Sequence, residues 1–217
     1  MATPYFQLRV EHVPSTQDVA RAELEDLPVL VIAAGQTHGR GRSGAEWLNA
    51  DRALAVSLAY GHDPEDRRPV SLMAGVAAVR SVERATLKWP NDVLVDGAKV
   101  GGILVERSDG VTVVGLGLNL LWPDAPEGAA AIFEADPGEN AHVEIAALWG
   151  AELMELLDSD GWPRSAYRDN CETIGRHITW EPDGSGRAVD VDEDGGLVVE
   201  TPEGQETLHS GAVRHIR

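Results

Sequence analysis

The chain is predicted to fold as α+β: a mixed sheet with helices, followed by a small all-β barrel. Three observations carry that prediction. Apolar runs of strand length alternate with segments of helical spacing over the first three quarters of the chain. After Tyr167 the texture changes to short β-rich runs, separated every eight to ten residues by Asp-Gly or Glu-Gly turns. A hydrophobic content of 43% in 217 residues supplies a full core, which excludes a disordered chain.

The elements follow in order. Ser15-Thr16 with Asp18 reads as a capped helix start for the run Val19–Leu27. Pro28–Ala34 is a short apolar run of the kind a buried strand needs. Pro69–Val82 has proline at the entry and Ala/Val/Met spacing suited to a helix. Val93–Val95, then Asp96-Gly97, then Lys99–Val105 is a hairpin signal, because Asp-Gly accepts the positive φ angles of a type I′ turn. Val111–Leu118 continues that meander. A helix from Ala141 to Leu157 carries Ile145, Leu148, Trp149, Leu153 and Leu156 on one face. The barrel strands are Ile178–Trp180, Gly186–Val191, Leu197–Glu200, Gln205–Leu208 and Ala212–Ile216. The division predicted is therefore residues 1–170 and 171–217, with no repeat or long linker between them.

Composition narrows the function. A net charge of −18 opposes a general nucleic-acid binder, which needs a basic face for phosphate. Cys171 is the lone cysteine, so there is no intramolecular disulfide, as in a reducing cytoplasm. No run of 18 apolar residues and no signal-peptide pattern occurs, so neither export nor a membrane span is expected. In so acidic a chain any phosphate site must be a local basic island, and two are dense enough: Arg40/Arg42 and Lys88/Lys99.

The second island is unusual in its residue choice. Lys88 and Lys99 are the only lysines, and the other 16 basic side chains are arginine. An ammonium is a compact point charge on a flexible stem, suited to following a phosphate whose geometry changes. Lys88-Trp89-Pro90-Asn91-Asp92 precedes the hairpin; Pro90 interrupts a ladder, and Asn91 and Asp92 offer ligand contacts. Gly101-Gly102 lets a backbone approach a flat ligand closely. The first island, Gly39-Arg40-Gly41-Arg42, leaves the Pro28–Ala34 strand as a glycine- and arginine-rich loop fit to fold over an anion. It has neither the spacing of a Walker loop nor that of a dinucleotide fingerprint. Gly115-Leu-Gly117-Leu-Asn119 closes a third strand, with Asn119 placed to read a base edge or ribose.

Taken together these motifs resemble the biotin–protein ligases, in a monofunctional form without an N-terminal DNA-binding domain. The GRGR loop matches Gly39–Arg42, with Gln36 before it and Trp47 after it. KWPND matches Lys88–Asp92, K-x-x-GILVE matches Lys99–Glu106, and GxGxN matches Gly115–Asn119. Ser15-Thr16-Gln17 matches a Ser-Thr-Asn segment, and the stretch from Gly186 to Arg214 resembles the family's SH3-like C-terminal domain.

The resemblance implies a catalytic domain like that of class II aminoacyl-tRNA synthetases. It also implies a two-step reaction: biotin and Mg·ATP give biotinyl-5′-AMP, and the acyl group passes to a lysine of a biotin carboxyl carrier domain. Lys99, Arg40 and Arg42 would be the catalytic cations. Ser15, Thr16, Gln17, Gln36, Gly39, Arg40, Gly41, Arg42, Lys99 and Gly101 would hold biotin. Trp47, Lys88, Asn91, Asp92 and Asn119 would face the adenylate. Mg²⁺ would come with ATP rather than in a protein metal site. The loop would act as a lid.

Several positions depart from the family pattern. Ser43, Ala45 and Glu46 stand where further basic residues are usual, and Asn49-Ala-Asp-Arg52-Ala53-Leu54 replaces a Gly- and Asn-bearing pocket wall. His38 and Gln17 are also departures. The alternatives are a lipoate–protein ligase, which shares the acyl-adenylate logic, and a biotin-binding protein that has lost turnover. A DNA-binding repressor is opposed by the short acidic N-terminus. The meander edge is suited to pairing with a second copy, which leaves a homodimer open.

Overall fold

A computed structural model describes residues 3–48 and 50–216 of the chain. Asn49, the first residue of the departing wall segment, lies outside the described residues. The elements are β1 (Phe6–Val13), α1 (Thr16–Ala22), β2 (Val29–Gln36), β3 (Arg52–Gly61), α2 (Val70–Ser81), β4 (Ala85–Lys88), β5 (Asp92–Val95), β6 (Ala98–Ser108) and β7 (Val111–Leu121). Then follow α3 (Ala141–Leu157), α4 (Arg164–Asn170), β8 (His177–Trp180), β9 (Gly184–Val191), β10 (Leu197–Thr201), β11 (Gly204–Leu208) and β12 (Val213–His215).

Seven strands form a mixed sheet in the order β1-β2-β3-β7-β6-β5-β4. β1 and β2 run parallel, and the remaining neighbours are antiparallel. Asp96 (φ 51°) and Gly97 (φ 77°) form the two left-handed residues of the β5–β6 turn, as the Asp-Gly signal predicts.

Strand alternation sorts the sheet into two unlike faces. Leu30, Ile32, Leu54, Val56, Leu58, Val114, Leu116, Leu118 and Leu120 point to one side, into a core shared with α2 and α3. Trp149 of α3 is fully buried there, and its Nε1 donates to the Ala74 carbonyl of α2 at 3.1 Å. Val29, Val31, Ala59 and Val113 point to the other side, under α1, in a much smaller cluster. α1 covers only part of that second face. Where it stops, the outward positions are Ser57, Gly102, Gly115 and Gly117, and the sheet is left with a shallow, narrow-walled floor.

The other five strands form an antiparallel sheet in the order β11-β10-β9-β8-β12, the small C-terminal barrel. Its core residues Ile178, Ala188, Val191, Leu197, Val199 and Val213 are continuous with the main core. The dock is specific. Trp89 Nε1 donates to the Gly195 carbonyl at 3.0 Å, and a side chain at Gly195 would sit 2.5 Å from Pro69. Arg164 reaches the Val191 carbonyl, Asp190 and Glu193.

Some expectations needed correction. The first helix spans Thr16–Ala22 rather than Val19–Leu27, because Glu23 ends it and the chain turns before β2. Ser15 sits at its N-cap but makes no side-chain cap hydrogen bond. Leu148, expected on the buried face of α3, is 46% exposed: the packed stripe runs through Ala146, Trp149 and Leu153 instead. β1, β3, β4 and α4 were not predicted as elements.

Candidate active site

The half-covered face of the sheet holds a cavity of about 670 Å³, in the size range of small-molecule sites. Its floor is Ser57 of β3, Gly102 and Leu104 of β6, and Gly115 and Gly117 of β7. One end wall is the start of α1, Ser15–Gln17, with Gln36 at the end of β2. The roof is the segment Arg40–Trp47, and the far end is Lys88–Asp92, Lys99 and the barrel residues Ser210–Val213.

The α1 end is polar and almost fully buried. Thr16 N–H and Oγ1 both donate to Gln36 Oε1, at 2.8 and 3.1 Å, and Thr16 Oγ1 lies 2.8 Å from Ser57 Oγ. Gln17 Nε2 donates to the Leu104 carbonyl at 3.3 Å. Two polar atoms here are buried without a partner: Ser15 Oγ and Gln17 Oε1. Buried orphan groups cost free energy, so their natural partner is a bound polar molecule. Gly115 keeps that space open, since a Cβ there would lie 3.2 Å from Gln17 and 3.3 Å from Ser57.

The middle of the site is a flat slot. Gly102 and Gly117 are cross-strand partners, and the Trp47 indole lies over both. A Cβ on Gly117 would be 3.0 Å from Trp47 Cε2, and one on Gly102 would be 3.2 Å from Cζ3. The glycines therefore serve close approach of a ring, as Gly in a strand interior often does.

The roof is a small hairpin. Gly41 N–H donates to the Ala45 carbonyl at 2.7 Å, and Trp47 N–H to the Gly39 carbonyl at 2.9 Å. Its tip is a 3₁₀ turn, Arg42–Gly44, with Ser43 at φ 55°. The two arginines lead in different directions. Arg40 makes a bidentate pair with Asp18 of α1 (2.9 and 2.8 Å) and a third contact with Glu106 of β6 (3.1 Å). Arg42 donates to Asn91 Oδ1 at 3.1 Å and to the Gly211 carbonyl at 3.3 Å.

That distribution sets the charge of the far end. Lys99 pairs with Asp92 at 2.6 Å and stands 5.9 Å from the Trp47 ring centroid. Among the described residues Arg42 has only neutral partners and Lys88 forms no ion pair. An entering anion thus meets Lys88 and Arg42 uncompensated, with Lys99 shared. The carboxylates on the lining are Asp92 and Glu46, and among the described residues no cluster of three metal-ligating side chains exists.

Most of the predicted site residues converge on this cavity: Ser15, Thr16, Gln17, Gln36, Arg40, Gly41, Arg42, Trp47, Lys88, Asn91, Asp92 and Lys99. Three do not line it. Gly39 is buried against Trp47 at the hinge of the hairpin, and Gly101 is packed under Leu118, where a Cβ would be 2.4 Å away. Asn119 turns Nδ2 to the Ala130 carbonyl at 2.9 Å. Ser57 and Ser210–Val213 were missed. Ser57 had a readable signal, a lone hydroxyl in the apolar run Ala53–Ala59, whereas residues 210–213 reach the site only through the dock of the barrel.

Residues 10–120 match the Biotin/lipoate A/B protein ligase family, and residues 173–215 match the Biotin protein ligase C terminal domain. The chain belongs to the biotin/lipoate A/B protein ligase family. Among its members it is 30% identical, over 219 residues, to the biotin–[acetyl-CoA-carboxylase] ligase of Mycobacterium tuberculosis, covering 87% of this chain and 79% of that one. It is 29% identical to the protein of the same name from Paracoccus denitrificans, over 84% of this chain and 88% of that one. The biotin protein ligase from Aquifex aeolicus, solved in complex with biotin and ATP, superimposes with a TM-score of 0.80 at 25% identity, covering 98% and 99% of the two chains. The mixed sheet and C-terminal barrel are thus the biotin-ligase arrangement.

Proposed function

We propose that this chain is an ATP-dependent biotin–protein ligase acting on a biotin carboxyl carrier domain. The observation that carries the reading is the polarity of one continuous cavity. Unpartnered Ser15 Oγ and Gln17 Oε1 lie at one end, and uncompensated Lys88 and Arg42 lie at the other. A ligand with a small polar ring system, an apolar stem and a carboxylate fits that order. The Ser15–Gln17 end would take the ureido ring, the Trp47 slot the middle, and the cationic end the carboxylate with the nucleotide phosphates.

In the first step a biotin carboxylate oxygen bonds to the α-phosphorus of ATP, and the bond from that phosphorus to pyrophosphate breaks. Both reactants are anions, so Lys99, Lys88 and Arg42 lower the barrier by placing fixed positive charge where negative charge gathers. Mg²⁺ bound to the nucleotide would supply charge screening of the phosphates, and Asp92, paired with Lys99 at 2.6 Å, is the lining carboxylate that could face it. In the second step the acceptor lysine amine attacks the mixed-anhydride carbonyl. AMP leaves and the amine proton is lost to solvent. The Arg40–Trp47 hairpin excludes water from the anhydride until then.

The test is the intact mass of a biotin carboxyl carrier domain after incubation with this protein, Mg·ATP and biotin, with lipoate in parallel. A gain of one biotin that requires ATP is expected. A gain with lipoate alone, or none with either, would overturn the reading. We further take the functional units to be 1–170 and 171–217, the setting to be the cytoplasm, and nucleic acid not to be a partner. No described helix is long and apolar enough to cross a membrane. β6 outruns β5 beyond Gly102, and a second copy pairing along that edge would give a homodimer.

A further inference from the structure

Arg40 is the most heavily engaged cation of the site, and its partners are protein rather than open cavity. The guanidinium holds Asp18 with two hydrogen bonds and Glu106 with a third. Those carboxylates come from two different elements, α1 and β6, while Arg40 belongs to the stem of the roof hairpin. The stem's backbone is stitched to itself through Gly41–Ala45 and Trp47–Gly39 bonds and the Arg40–Glu46 bridge, and its Trp47 indole rests on Gly102 and Gly117 of the sheet. At the tip, Arg42 adds two contacts to neutral groups. The three-way charge cluster is thus the one charged tether, among the described residues, between the stem and the body of the protein.

We propose that Asp18 and Glu106 are positioning residues which, through Arg40, hold the roof hairpin closed and so set how long the acyl-adenylate remains covered. On this view Arg40 is not a cation for the reacting phosphate, although its motif suggests one. The bidentate geometry is the strong form of an Arg–carboxylate contact. In keeping with it, the hydrogen bonds to Arg40 hold the Asp18 carboxyl below the usual carboxylate range. The cluster is nonetheless open to solvent, with the Asp18 side chain 63% and the Arg40 side chain 38% exposed. Such a latch is weak enough to release on each turnover.

The proposal rests on the ligase reading, so its test has one arm that does not. Trypsin cleavage after Arg42 in the ligand-free protein, followed by mass spectrometry, reports hairpin opening whatever the ligand is. Asp18→Asn and Glu106→Gln should each raise the cleavage rate about three- to tenfold, the size of one networked surface ion pair. In the second arm, pre-formed biotinyl-adenylate is chased from the protein, and its release should quicken by a similar factor. Asp18→Glu should restore both rates. Arg40→Gln combined with Asp18→Asn should show no more effect than Arg40→Gln alone. Wild-type rates in Asp18→Asn, with an unchanged melting temperature, would overturn the proposal and return Arg40 to the phosphate. If wild-type protein makes no adenylate while the trypsin arm behaves as expected, the ligase reading fails and the latch stands.

Discussion

Lys99 and Gly117 show how far single positions in this site can be separated from stability. Lys99 is a half-exposed side chain paired with a half-buried Asp92, so Lys99→Ala should cost no more than about 1 kcal/mol of folding free energy. Biotin-dependent exchange between pyrophosphate and ATP should nevertheless fall below detection, because the cation shared between carboxylate and phosphate is gone. Exchange near the wild-type rate would remove Lys99 from the reaction. Gly117→Val should separate the two properties in the other direction. Valine favours a strand, which offsets part of the cost of displacing Trp47, so the melting temperature should change little. Its side chain, however, meets the Trp47 indole, which a Cβ alone approaches to 3.0 Å. The slot closes, and the equilibrium constant for biotinyl-adenylate should weaken at least about tenfold by titration calorimetry.

At the scale of elements, α3 is the buttress behind the floor of the site. Trp149 is fully buried between α2 and the sheet, so Trp149→Ala should lower stability by about 3–5 kcal/mol in a urea titration. A loss under about 1 kcal/mol would show that the helix pair does not support the sheet. α3, α2 and the β5–β6–β7 meander were legible because each carries a strong local signal: a long apolar stripe, or Asp-Gly between apolar runs. β1 carries a signal too, since Phe6, Leu8 and Val10 alternate with Gln7, Arg9 and Glu11. It is muted because this edge strand buries none of its residues fully. β4 has four residues and α4 seven; β4 is held by Glu172, whose N–H donates to the Leu87 carbonyl, and α4 by the Arg164 and Arg168 pairs with Asp190 of the barrel, rather than by period. Most of the site was readable for a related reason. Glycines at alternate strand positions and paired lysines are costly choices without a ligand. The Arg40 cluster was not readable, because Asp18, Arg40 and Glu106 meet only after α1 and β6 have packed. Residues 210–213 enter the cavity by the same kind of long-range closure.

For the molecule as a whole, the joint between sheet and barrel should respond to pH through His215. Its Nε2 lies 3.0 Å from Thr173 Oγ1, which accepts from Trp89 N–H at the site itself. Burial first, then the nearby Lys88 and Arg176 charges, hold this imidazole below its ordinary 6.5. The unfolded chain therefore binds the proton more readily than the folded one. The contribution to stability is complete above pH 6.5 and is lost as pH falls from there through the folded value. His142 is shifted the same way, chiefly by burial. Unfolding midpoints should thus decline below about pH 6.5, and His215→Gln should flatten that decline; an unaltered slope would place the pH response elsewhere. The two lysines, finally, have a meaning for the chemistry of the surface. Both ammonium groups line the cavity, and the other 16 of the 18 Lys and Arg side chains are guanidinium groups, which are poor acyl acceptors. Apart from the α-amino group, the amines open to a stray activated ester are therefore those of Lys88 and Lys99 at the cavity. An ester that leaks from the cavity thus meets few amines elsewhere on the surface. Amine-directed labelling of the native chain reads out whether the pocket is filled.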